Sequence, residues 1–174
     1  LKHRALTHHA PKLLERELYP RIAYLRRFVS IAGSPGSDFL QRTAHIDVCL
    51  QMADGISITI EEKIIRRRYE HFAIETHGDV DASQLAGKPN GWLYTSTADQ
   101  LLYAFATPRG LDAWLMPMQA LRDFMAANEP HYRPVYSRTS WRGHEHTTRC
   151  VLVPLRDVKN KRFYELIGGG SFDE

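Results

Sequence analysis

The chain predicts an α/β protein, a mixed β-sheet core flanked by helices. Three observations predict it. Two pairs of apolar stretches are each joined by a glycine-containing turn, helical stripes stand before the first pair and after the second, and no repeat or linker divides the 174 residues. That length suits one domain with a sizeable core. We place the core over residues 11–128 and a C-terminal strand and tail over 129–174.

The first element reads as a helix from Ala10 to Val29. Pro11 suits an early helical position, Leu14, Leu18, Ile22 and Leu25 form its apolar stripe, and Pro20 kinks or splits it. A Gly/Ser/Pro loop follows over 32–38. From Ala44, Ile46, Val48, Leu50 and Met52 alternate with His45, Asp47, Cys49 and Gln51, the period of a half-buried strand. Ala53-Asp54-Gly55 is a strong hairpin signal. The returning run places Ile56, Ile58, Ile60 and Glu62 on one face and Ser57, Thr59, Glu61 and Lys63 on the other. A third alternating run spans Tyr69 to His77, with Phe72 and Ile74 toward the core and Ala73, Glu75 and His77 away from it. Residues 78–91 are rich in Gly, Asp and Pro and read as an exposed loop.

A second hairpin is expected from Leu101–Phe105 and Leu111–Met116, turning at Thr107-Pro108-Arg109-Gly110. A helix over about Met118–Asn128 buries Leu121, Phe124 and Met125 and stops near Pro130. Thr147–Leu155 reads as a further strand, and Gly168-Gly169-Gly170 as the end of ordered structure.

Composition excludes some classes. Hydrophobic content of 43% and charged content of 25% are ordinary for a soluble globular protein. A net charge of +3 accommodates a polyanionic partner without requiring one. Cys49 and Cys150 are too few for a disulfide framework, which points to a reducing, cytoplasmic setting. No apolar run approaches the roughly 20 residues that span a bilayer, so no membrane partner is expected. The chain begins at Leu1 rather than Met, so its true start is expected upstream, and no signal peptide is visible.

The chemistry concentrates on the first hairpin. If both apolar faces meet one core, Asp47, Glu61 and Lys63 share the opposite face. An acid facing an acid-x-lysine triplet across paired strands can hold a divalent ion against a phosphodiester. Glu-x-Lys alone is also the pattern of a solvated face or a cross-strand salt bridge. Here the Asp-Gly turn and the aligned Asp47 favour catalysis.

These residues, in this order, resemble the PD-(D/E)XK phosphodiesterase superfamily, which includes many restriction enzymes, resolvases and phage or repair nucleases. Asp47 matches the first acid, Glu61 the second and Lys63 the lysine, across about Glu15–Ala127. The stretch Gly91-Trp92-Leu93-Tyr94-Thr95-Ser96-Thr97-Ala98-Asp99 is similar to one in small phage or mobile-element members. Ile46 stands where the family name has proline. Gln100 and Tyr103 are too close to form the Gln-x-x-x-Tyr signature of the exonuclease branch. The resemblance implies a restriction-endonuclease-like core and hydrolysis of nucleic acid, DNA first, with Mg²⁺ as cofactor and Mn²⁺ able to substitute. It places a further acid, Glu15 or Glu17, on the preceding helix.

Mg²⁺ binds through one or two carboxylates with waters and substrate phosphate. Asp47 and Glu61 supply the carboxylates, and the Glu62 backbone carbonyl is a further ligand. Lys63 orients the attacking water or stabilises developing negative charge. Glu75 or Glu15 is the natural extra ligand if a second ion binds. Arg66, Arg67 and Arg68 follow the triplet, where a nucleic-acid backbone would pass. A homodimer is plausible on the ground that double-strand cutting needs two sites. His144-Glu145-His146 lacks zincin spacing and reads as a surface loop. The competing reading is a non-catalytic nucleic-acid-binding or assembly module that keeps the fold.

Overall fold

A computed structural model describes residues 25–30, 44–65, 67–82, 88–107, 110–141, 144–160 and 165–166. The chain is mixed α/β. In order come β1 (Leu25–Ser30), β2 (Val48–Met52), β3 (Ser57–Ile65), β4 (His71–His77), α1 (Trp92–Thr95), β5 (Gln100–Thr107), β6 (Gly110–Pro117) and α2 (Met118–Asn128). A 3₁₀ turn at Glu129–His131 follows, then β7 (Arg133–Trp141), β8 (His144–Pro154), α3 (Leu155–Asn160) and β9 (Glu165–Leu166). One sheet has the order β1-β2-β3-β5-β6-β9, and a second has β4-β8-β7.

The first hairpin forms as its turn residues dictate. Gly55 takes φ +89°, a left-handed conformation that glycine adopts without steric cost. The Gly55 amide donates to the Met52 carbonyl at 3.0 Å, and the Met52 amide to Ile56 at 2.8 Å. The Asp54 carboxylate accepts from the Ile56 amide at 3.0 Å. This turn sets an antiparallel register of Leu50 with Ile58 and Val48 with Ile60. β3 then pairs in parallel with β5, so the intervening chain must cross over one face of the sheet. That crossover carries β4 and α1. β5 and β6 form the second hairpin, with Tyr103 opposite Trp114.

Both faces of the large sheet bury apolar side chains. Val48, Leu50, Ile60, Leu102, Ala104 and Ala113 cluster on one. On the other, Leu101, Tyr103, Phe105, Trp114 and Met116 meet Phe72 and Ile74 of β4, Val151 and Val153 of β8, and Leu121, Phe124 and Met125 of α2. Aromatic edges lock this layer: the Phe72 ring centroid lies 4.8 Å from Tyr103 and 5.4 Å from Trp114. The stretch after residue 128 is woven into the same core, because β8 pairs along β4.

Several expectations change. The helix expected through Val29 does not reach that far, for Leu25–Ser30 is a strand paired with β2. The β-prone Phe28-Val29 pair and an available strand edge override the helical stripe there. Residues 10–24, with Glu15 and Glu17, lie outside the described residues. The strand expected from Ala44 begins at Val48, because His45 adopts φ +49° and breaks the extended run. Ile46 consequently packs against the inter-sheet cluster rather than with Val48 and Leu50. The run expected from Tyr69 is a strand only from His71 to His77, and it belongs to the second sheet. Gly91, expected in an exposed loop, is buried. β7 is an edge strand with Pro134 and mostly exposed residues, so it lacks a readable alternation. His144-Glu145-His146 opens β8 rather than forming a loop.

Candidate active site

Asp47 stands just before β2. Its amide donates to the Ile60 carbonyl at 2.8 Å, and its Oδ2 accepts from the Glu62 amide at 2.8 Å. The acid is thus fixed against β3 by backbone contacts on both sides. Along β3, Glu61 and Lys63 pair with Leu101 and Tyr103 of β5, which lie on the inter-sheet face. The Glu62 side chain points to the opposite face by strand alternation.

The expected polar face is therefore roofed over. Glu61 is 2% exposed, while the Lys63 side chain keeps 29%. The two are ion-paired through Glu61 Oε1 and Lys63 Nζ. Burial pushes the Glu61 carboxyl up from 4.5 to about 7; Lys63 opposes this, and Asp47 and Glu75 reinforce it. His45 belongs to the same electrostatic cluster. Burial and then Lys63 lower its pKa, partly offset by Glu75 and Asp47, so the ring is neutral at neutral pH.

Trp92, Arg122 and Asp99 organise this cluster. The Lys63 ammonium lies 5.4 Å from the centroid of the Trp92 ring. The Trp92 amide donates to Glu75 Oε1 at 3.2 Å. Trp92 thus touches the lysine through its ring and an acid through its backbone. Arg122 of α2 holds this turn by donating to the carbonyls of Leu93, at 2.8 Å, and Ser96. Asp99 accepts from the Thr59 amide and hydroxyl, each at 2.8 Å, clasping β3 to the start of β5. A polar clasp between distant segments has no periodic signature, which is why these partners were illegible. His45 has a local signal, since the alternation read from the sequence sets it on the same side as Asp47.

Gly91 explains how Trp92 comes so close. β4 carries a register shift between Glu75 and His77, and the Gly91 amide donates to the Thr76 carbonyl at 3.0 Å. A Cβ at Gly91 would lie 2.4 Å from the Thr76 carbonyl carbon and 2.6 Å from the Glu75 oxygen. Both are backbone atoms and cannot rotate away. Gly91→Ala is expected to destabilise the fold by about 2 kcal/mol, the range for forced overpacking. Urea denaturation checks this; an unchanged midpoint would show that the close approach is dispensable.

The remaining candidates divide. Arg66 lies outside the described residues. Arg67 is exposed with its guanidinium 5.8 Å from the Tyr69 ring, and Arg68 lies 3.4 Å from Asp112. Trp92 and Trp114 are buried. The Cys150 thiol is raised to about 11, chiefly by burial, so it is not a thiolate nucleophile at neutral pH.

Among the described residues, no three His, Cys, Asp or Glu side chains converge as a ready-made metal cage. The donor chemistry nevertheless fits Mg²⁺, which uses one or two carboxylates and fills its remaining positions with water and phosphate. Asp47 and Glu61 are hard oxygen donors with Glu75 in electrostatic range, and Lys63 now supplies the balancing charge. No helix of the described residues is long and apolar enough to cross a membrane. Comparison with protein-family models, curated proteins and solved structures gives no match.

Proposed function

We propose that the chain is a metal-dependent nuclease that hydrolyses phosphodiester bonds of nucleic acid, with DNA as the first substrate to test. One observation carries the reading: Glu61, a carboxylate buried to 2% exposure and raised to about 7, shares a face with Lys63 and lies in the field of Asp47 and Glu75. Burying an acid beside two others is costly, and such clustering is typical of sites that bind cations or move protons. Asp47 and Glu61, with the Glu62 carbonyl, would hold Mg²⁺ or Mn²⁺. The bound ion supplies a lowered water pKa and polarisation of the phosphoryl oxygen.

The chain's own residues do the rest. The Glu62 amide orients the Asp47 carboxylate. Trp92 confines the Lys63 ammonium, whose charge offsets the negative charge that develops on the phosphoryl oxygens. Glu61 must give up its proton to act as a ligand, so metal affinity falls as pH drops below about 7. Arg67 and Arg68 present positive charge beyond the end of β3 for the phosphate backbone, as proposed also for Arg66.

A second reading draws on the same ion pair. A buried Glu61–Lys63 contact is also what a structural pair in a non-catalytic binding or assembly module would show. The test is cleavage of plasmid, single-stranded and branched DNA with Mg²⁺ or Mn²⁺ by wild type and Lys63→Ala. Cutting lost in the variant supports the nuclease; equal cutting by both sinks it.

A further inference from the structure

We propose that a groove beyond the end of β3 docks a single-stranded segment of nucleic acid, with Tyr69 as the platform on which an unpaired base stacks. The groove encloses about 860 Å³ between the start of β4 and the start of α3. Its walls are joined by a hydrogen bond from the Leu155 amide to the Glu70 carbonyl at 2.9 Å. Arg67, Arg68 and Arg156 line it against one acid, Glu70, so its lining is cationic. Arg68 and Arg156 each have an acidic neighbour, Asp112 at 3.4 Å and Asp157 at 3.6 Å. Their side chains still keep 48% and 84% exposure, enough to meet a phosphate.

Tyr69 distinguishes this groove from a generic basic patch. It is 51% exposed, a large surface for an aromatic residue to leave in water. Its ring is braced edge-on against buried Phe105, with centroids 6.5 Å apart. The Arg67 guanidinium lies 5.8 Å from that ring. An anchored aromatic face beside arginines is the arrangement that stacks bases while following a backbone. A duplex hides its base faces, so the match is to unpaired nucleotides. Arg67 follows Lys63 by four residues, at most roughly 14 Å of chain, so one strand could reach both places. The inference rests on the proposed nuclease reading for the identity of the polymer.

The experiment is fluorescence anisotropy of the full chain in EDTA with a labelled oligothymidylate and with a duplex of equal length. The single strand is expected to bind more tightly. Tyr69→Ala should weaken that binding about tenfold, the loss of one stacked base, whereas Tyr69→Phe should retain it. Replacing Arg67 and Arg156 together should reduce the salt slope by roughly 1.4. Equal binding of duplex and single strand, indifference to Tyr69→Ala, or binding of polyglutamate in place of DNA would overturn the proposal. Cleavage is scored separately with Mg²⁺. Tyr69-dependent binding without cutting keeps the groove and removes the nuclease, and cutting without a Tyr69 effect does the reverse.

Discussion

Lys63→Ala is expected to lower metal-dependent cleavage by about two to three orders of magnitude while the protein stays folded. The size follows from removing one preorganised charge aimed at a developing oxyanion, which costs roughly 10²–10³ in rate. The fold should survive because Glu61 has an alternative to its partner. With a pKa already near 7, it can take up a proton once the ammonium is gone, leaving a neutral buried acid rather than an uncompensated charge. The Lys63 side chain is itself 29% exposed, so its truncation opens no sealed cavity. Initial rates on plasmid, with circular dichroism and a melting curve for each protein, check both halves. A variant that melts normally and cuts normally would remove Lys63 from the chemistry.

The second large effect runs the other way. Glu61→Gln should abolish cleavage yet stabilise the metal-free protein at alkaline pH. Native Glu61 holds its proton up to about pH 7, whereas the same residue in an unfolded chain releases it near 4.5. Between those values the native state binds more protons than the unfolded state, so stability falls as pH rises. The contribution is fully present below about 4.5 and lost above about 7. At about 1.4 kcal/mol per pH unit the whole window amounts to about 3 kcal/mol, an upper bound for this one group. Glutamine fills the same volume without an ionisable proton and should flatten that slope. Urea unfolding at pH 5 and pH 8 in EDTA measures it. A variant with the wild-type slope would mean that another group carries the pH dependence.

Those effects arise from a burial that the sequence reading did not foresee. The hairpin itself was legible: alternation in Val48–Leu50 and Ile56–Ile60 and the Asp54-Gly55 turn are local signals, and they set the register that brings Asp47 beside β3. α2 was legible because Leu121, Phe124 and Met125 recur at helical spacing and Pro130 ends the run. Glu61 and Lys63 were correctly placed on one face. The same alternation made that face look open, since periodicity reports which residues share a side and not what covers it. β4, β8 and α2 cover it through contacts between residues distant in sequence. What Trp92 and Gly91 do in the fold was illegible for the same reason. Their roles depend on the irregular β4 backbone near Thr76, and no pattern local to 91–92 encodes that neighbour. β1 was misread because a paired edge decided its conformation over its helical stripe.

The proposed work of the Asp47, Glu61 and Lys63 cluster is to cut phosphodiesters with a divalent ion. Its most direct test is incubation of the purified chain with supercoiled plasmid and circular single-stranded DNA, in Mg²⁺, Mn²⁺ or EDTA, beside Glu61→Gln. Wild type is expected to give nicked or linear product with either ion and none in EDTA, and the variant none under any condition. Product that persists in EDTA, or that Glu61→Gln forms as readily as wild type, would contradict it.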